Sequence, residues 1–91
     1  MAGRVYKYPV LMDDTFAIML PKRHRVLSVQ VQNGQPQIWV LVDLDGETEE
    51  VKFHLAGTGN LIAGDAPSWT YIGTFQMSGG ALVFHLFQEE R

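Results

Sequence analysis

The residues best equipped for chemistry are few. Three histidines, His24, His54 and His85, supply the imidazoles, and there is no cysteine. Disulfides, thiolate catalysis and cysteine-ligated zinc are therefore excluded. No H-x-H or H-E-x-x-H spacing links the histidines, so no metal site is expected from them. Of the hydroxyl candidates, Ser28, Ser68, Ser78 and the threonines, none sits in a G-x-S-x-G elbow. The acidic run Glu47-Thr48-Glu49-Glu50 reads as a solvated edge that discourages strand addition. The expectation is a protein that is not an enzyme and takes no cofactor.

Binding chemistry is better represented. Lys22-Arg23-His24-Arg25 gathers three of the seven Lys and Arg residues into a chain whose formal net charge is −3. The plain reading is a solvated turn with surface ion pairs. The functional reading is an anion site, since a guanidinium grips phosphate or carboxylate oxygens bidentately. Arg23 and Arg25 alternate, so an extended backbone points both the same way, with Lys22 contributing at longer range. Gly57-Thr58-Gly59-Asn60 is a second candidate, because glycines let backbone amides approach a phosphate closely. It lacks the lysine and helix of a P-loop, and its plain reading is a strand-exit loop. Trp39, Trp69 and Tyr71 are candidate aromatic contacts to a ligand or to a second protomer. A net-negative chain with one short basic tract is not expected to bind duplex nucleic acid.

The elements that must position these groups follow a period of two. Val26 to Gln32 alternates with Leu27, Val29 and Val31 on one face, and Asn33-Gly34 follows as a type I′ turn. That turn predicts Val31 opposite Pro36, Val29 opposite Ile38 and Leu27 opposite Val40. Asp45-Gly46 predicts a second hairpin, with Val40 opposite Val51 and Ile38 opposite Phe53, so that three strands form a meander. Gly79-Gly80 predicts a third hairpin, pairing Phe75 with Phe84, Met77 with Leu82 and Thr74 with His85. Arg4 to Val10 reads as a strand placed at an edge by Pro9, and Thr15 to Leu20 as a short strand closed by Pro21. The expected fold is all-β: a small antiparallel sandwich or barrel built from hairpins, with six to seven strands.

Length and composition set the frame. Ninety-one residues, 46% hydrophobic and 19% charged, make a single domain over 1–91 with a thin core. Apolar runs are far too short to span a membrane as a helix. Met1-Ala2-Gly3-Arg4 runs straight into patterned sequence, so no secretory signal is expected. In this register Trp39 and Leu41 lie opposite the core pairs and need cover from the N-terminal strands of the same chain, a ligand or another subunit, and the last of these motivates a homo-oligomer, most simply a twofold dimer.

Five segments carry a resemblance: Tyr6-Lys7-Tyr8-Pro9, Leu27 to Gly34, Gly57-Thr58-Gly59, Tyr71 to Gln76 and Gly79 to His85. Together they resemble a family of small bacteriophage and prophage proteins, over nearly the whole chain. The resemblance implies a non-virion accessory protein in the cytoplasm of an infected bacterium, acting by binding, with no catalytic residue to carry over. One expectation is a homo-oligomeric counter-defence protein that sequesters a nucleotide-like anionic ligand. A second is a protein that inhibits a host defence effector by occlusion, in the manner of an anti-CRISPR protein, using the Glu47 to Glu50 and Glu89-Glu90 clusters. A third is a minor virion or assembly component.

Overall fold

The computed structural model describes residues 2–90. Met1 and Arg91, which end the expected 1–91 domain and of which Met1 starts the signal-free reading, lie outside the described residues. Among the described residues there are seven strands: β1 (Gly3–Pro9), β2 (Thr15–Pro21), β3 (His24–Gln32), β4 (Gln35–Asp43), β5 (Thr48–Gly57), β6 (Thr70–Met77) and β7 (Leu82–Gln88). They form two antiparallel sheets, the first in the order β1-β4-β3 and the second in the order β2-β5-β7-β6. Among the described residues the only helical pieces are 3-10 turns at Ala66–Ser68 and Ser78–Gly80. The shortest Cα extent is 16 Å, which suits two sheets stacked about 10 Å apart. The all-β antiparallel expectation holds, and the arrangement is sandwich-like.

The alternation along each strand builds the core. Ile38, Val40 and Val42 of β4 face Val51, Phe53 and Leu55 of β5 across the interior, with Phe16, Leu20, Val29, Phe75 and Leu86 around them. Phe16 stacks on Phe53 with ring centroids 5.4 Å apart. Asn33 and Gly34 both adopt positive φ, 52° and 78°, as a type I′ turn requires. Val31 then pairs with Pro36 and Val29 with Ile38. At the far hairpin Phe75 meets Phe84, Thr74 meets His85 and Met77 meets Leu82.

Two expectations fail. The Asp45-Gly46 hairpin does not form, and β3, β4 and β5 are not a meander. Both edges of β4 are taken, by β1 and β3, so β5 has no edge to join and crosses to the second sheet. Gly46 is not among the positive-φ residues, and the Asp43 carboxylate accepts the Asp45 N–H at 3.0 Å to start an open crossing turn. The apolar residues assigned to that hairpin still share one core, contributed from opposite sheets. Leu27 also does not pair with Val40. Val26 does, and Leu27 is the extra residue of a β-bulge, 44% exposed.

Candidate functional site

The bulge at Leu27 decides where the basic tract points. With strict pairing from the Asn33-Gly34 turn, Arg25 would sit opposite Val42, whose side chain is in the core. One inserted residue shifts the register, so Arg25 pairs with Leu41 and His24 with Val42. Arg25 thereby leaves the core side and joins the outer face of the first sheet. Re-aiming a side chain is what bulges do.

That outer face is read from the registers of β1 and β3 against the central strand β4. One row across the sheet is Lys7, Trp39 and Ser28, and the next is Val5, Leu41 and Arg25. On the other side of Trp39 lie Gln37 and Gln30. Trp39 and Leu41 are half-buried in the middle of the face, while Val5, Lys7, Arg25 and Gln30 at its flanks are exposed. Lys7 Nζ donates to Gln32 Oε1 at 2.8 Å.

Beside this face lies an open pocket of about 420 Å³, lined by Lys22, Arg23, His24, Arg25, Leu41, Val42 and Asp43. The alternation of Arg23 and Arg25 thus brings both to one rim. Their states differ. Arg23 Nη1 is 3.7 Å from Asp43 Oδ2, and that carboxylate is only 7% exposed. Lys22 Nζ reaches Glu47 Oε2 at 3.1 Å, a pair exposed on both sides. Among the described residues no carboxylate pairs with Arg25. His24 is structural: Nδ1–H donates to the Pro21 carbonyl at 2.7 Å, leaving Nε2 to accept from Gln88 Nε2 at 3.3 Å.

The Gly57-Thr58-Gly59 loop is elsewhere. The Lys22 amide donates to the carbonyl of Glu47, the residue just before β5, whereas Gly57 ends that ten-residue strand. The two candidates are therefore separated by roughly 30 Å of extended chain. The loop is also occupied by its own bonds. Thr58 N–H donates to the Val83 carbonyl and Asn60 N–H to the Gly57 carbonyl. Thr58 Oγ1 lies 2.6 Å from His85 Nε2, His85 Nδ1 lies 2.9 Å from Thr74 Oγ1, and Thr74 Oγ1 lies 2.5 Å from the Tyr71 hydroxyl. This relay ties the loop to β7 and β6.

The aromatic candidates separate as well. Trp69 is 9% exposed and is filled from within the chain, stacked on His54 and tilted against Phe87. Tyr71 is 56% exposed, edge-on to Phe87 and held by the relay, on the second sheet. Trp39 alone of the three shares a face with Arg25. Lys7 completes that face, and its signal was its place in the Tyr6-Lys7-Tyr8 alternation of a strand whose partner could not be read locally.

Among the described residues no cluster of three or more His, Asp or Glu is placed to hold a metal ion. No helix there is long and apolar enough to cross a membrane. No curated protein and no solved structure matches the sequence. A family model covers residues 1–91, and the chain belongs to that family, described as Domain of unknown function (DUF7352).

Proposed function

We propose that the chain is a binding protein for a nucleotide-like anionic ligand, received on the outer face of its first sheet. The observation that carries this reading is the placement of Trp39 and Arg25 on one open face, a single row apart. An indole in the middle of a sheet offers a stacking platform for a base. The Arg25 guanidinium, about 7 Å along the strand direction and without a carboxylate partner among the described residues, supplies a partner for the phosphate attached to that base. Arg23 and Lys22 extend the cationic rim; the Lys22–Glu47 pair is exposed on both sides and can yield to a ligand, whereas Arg23 stays tied to the buried Asp43 carboxylate. Gly57, Thr58 and Gly59 have no part in this site.

The resemblance to small phage proteins supports a setting in an infected bacterial cytoplasm, where such a protein would sequester a signal of host defence. A homo-oligomer fits the exposed apolar positions Val5, Met19 and Leu27. Calorimetric titration with mononucleotides and cyclic nucleotides tests the reading. Saturable binding that is lost in Arg25→Ala supports it, and uniformly absent heats reject it.

One observation favours a second reading. Glu49 and Glu50 of β5 and Glu89 after β7 line one pocket of about 250 Å³, so the two acidic clusters converge at one end of the second sheet. That end would suit a basic surface on a target protein, as an occluding inhibitor requires. A pull-down from host lysate that loses its partner on reversal of these charges distinguishes it.

A further inference from the structure

We propose that the ligand of this face is a single-stranded nucleic acid, with one base stacked on Trp39 and its flanking phosphates held by Lys7 and Arg25. The proposal rests on the nucleotide-binding reading above and narrows it from a free nucleotide to a strand.

Trp39 has a cation on each side. Lys7 is its neighbour on β1, and Arg25 sits on the opposite side, on β3, one row further along. From strand spacing and rise, the two Cα atoms are roughly 12 Å apart, with long flexible side chains on both. A free nucleotide carries its phosphates on one side of the sugar and base. A nucleotide inside a strand has a phosphodiester on both sides. Cations flanking the aromatic on both sides match the second case.

The cationic track continues in one direction only. Beyond Arg25 come Arg23 and Lys22, on the rim of the same open pocket. On the near side, Gln37, Gln30 and Ser28 adjoin Trp39 and supply amide and hydroxyl groups for base edges without favouring one base.

Charge segregation adds a third strand to the argument. Arg4, Lys7, Lys22, Arg23 and Arg25, five of the chain's seven Lys and Arg residues, lie on the first sheet or the turn leading into it. Asp43 is the one carboxylate on that sheet's strands. Among the described residues, the second sheet carries Glu49 and Glu50 on β5, with Glu89 and Glu90 just after β7, against Lys52. Arg4 pairs with Val42 on the core side, and Glu49 and Glu90 border a second pocket beside Arg25, so the cations that a polyanion meets on the Trp39 face are Lys7 and Arg25, with Arg23 and Lys22 on the adjoining rim. The open three-stranded face presents no helix or ribbon to enter a duplex groove, whereas unpaired bases can lie flat on it.

The test is fluorescence anisotropy of a labelled oligothymidylate of about twelve nucleotides, compared with thymidine monophosphate and with the same sequence as a duplex. The single strand should bind at least about tenfold more tightly than either competitor, with a log–log salt slope of about −2 for three phosphates. Trp39→Leu should weaken it about tenfold. Lys7→Ala and Arg25→Ala, both at exposed positions, should each weaken it several-fold and flatten the salt slope by about 0.7. Circular dichroism of each variant confirms that the sheets persist. A mononucleotide that binds as tightly as the oligonucleotide overturns this proposal and leaves the nucleotide reading standing. Absence of binding by both overturns the two together. Oligonucleotide binding indifferent to Trp39, Lys7 and Arg25 also overturns it.

Discussion

The imidazole of His54 lies flat against the indole of Trp69, with ring centroids 3.6 Å apart and planes 1° from parallel. Thr15 Oγ1 is 3.2 Å from His54 Nδ1, while Nε2 is buried without a hydrogen bond among the described residues, 3.8 Å from Glu89 Oε1. This stack closes the long loop between β5 and β6 onto the second sheet. Gly64 on that loop, at φ 100°, would bring a Cβ within 3.1 Å of the Trp69 ring, so the chain wraps the indole tightly. The two tryptophans therefore have different work. Trp69→Ala should lower the unfolding free energy by about 3 kcal/mol, and Trp39→Leu by about 1 kcal/mol or less. Urea unfolding followed by far-ultraviolet circular dichroism measures both.

A second tight contact joins the two sheets. A Cβ at Gly73 would meet Val29 Cγ1 at 2.7 Å, and Val29 is core. The β6 backbone thus approaches β3 as closely as a glycine permits, beside a second bulge between Tyr71 and Gly73. Gly73→Ala should cost roughly 1–3 kcal/mol by overpacking. In the Val29→Ala background the same change should cost less, a coupling that a double-mutant cycle reads directly.

The bulged Leu27 offers a sharper contrast. Leu27→Gln should leave stability within about 0.5 kcal/mol, because the side chain is exposed. Deleting Leu27 should unfold the protein or break the β3–β4 pairing. Removal of the extra residue would turn Arg25 back toward the core, where its charge has no partner. Thermal melts of the two variants separate register from side chain.

These particulars show what local sequence can and cannot specify. Asn33-Gly34 and Gly79-Gly80 fix their hairpins because the turn and both strands lie within a few residues. Asp45-Gly46 looks the same locally, yet β1, far away in sequence, has already taken the edge of β4 that β5 would need. The bulge escaped for another reason: Val26 and Leu27 are adjacent and both apolar, so either parity satisfies the pattern. That one residue also determines which face Arg25 shares, and so the meeting of Arg25 with Trp39 was hidden with it. The clustering of Arg23 and Arg25 was readable. The separation of the Gly57 to Gly59 loop from them depends on β2 pairing with β5 end to end, a long-range relationship.

The basic tract should divide in its effect on stability. Arg25→Ala removes a guanidinium with no carboxylate partner among the described residues and should leave the melting temperature unchanged. Arg23→Ala leaves the buried Asp43 carboxylate without its ion pair and should cost about 0.5–1 kcal/mol. Paired thermal melts at low salt check the difference.

Alkaline pH should expose Tyr8. Burial holds its phenol above the ordinary value of 10.0, and the neighbouring Tyr6 adds to the shift. The folded state thus keeps the proton more tightly than the unfolded chain does. This contribution to stability is complete below about pH 10 and is lost as pH rises through the folded value. Tyr8→Phe cannot lose it, so wild-type stability should fall relative to that variant only on the alkaline side. Unfolding curves taken across that range measure the gap.

The most direct test of the account is a map of where an anionic ligand touches the chain. Backbone and indole amide resonances would be followed by nuclear magnetic resonance during titration with a mononucleotide. The account predicts shifts confined to β3, β4, Lys7 and the Lys22–Arg23 rim, with the Trp39 indole N–H and the Arg25 amide moving most and Gly57 to Gly59 still. Shifts centred on the Gly57 to Gly59 loop, or a titration that leaves Trp39 and Arg25 unmoved, would contradict it.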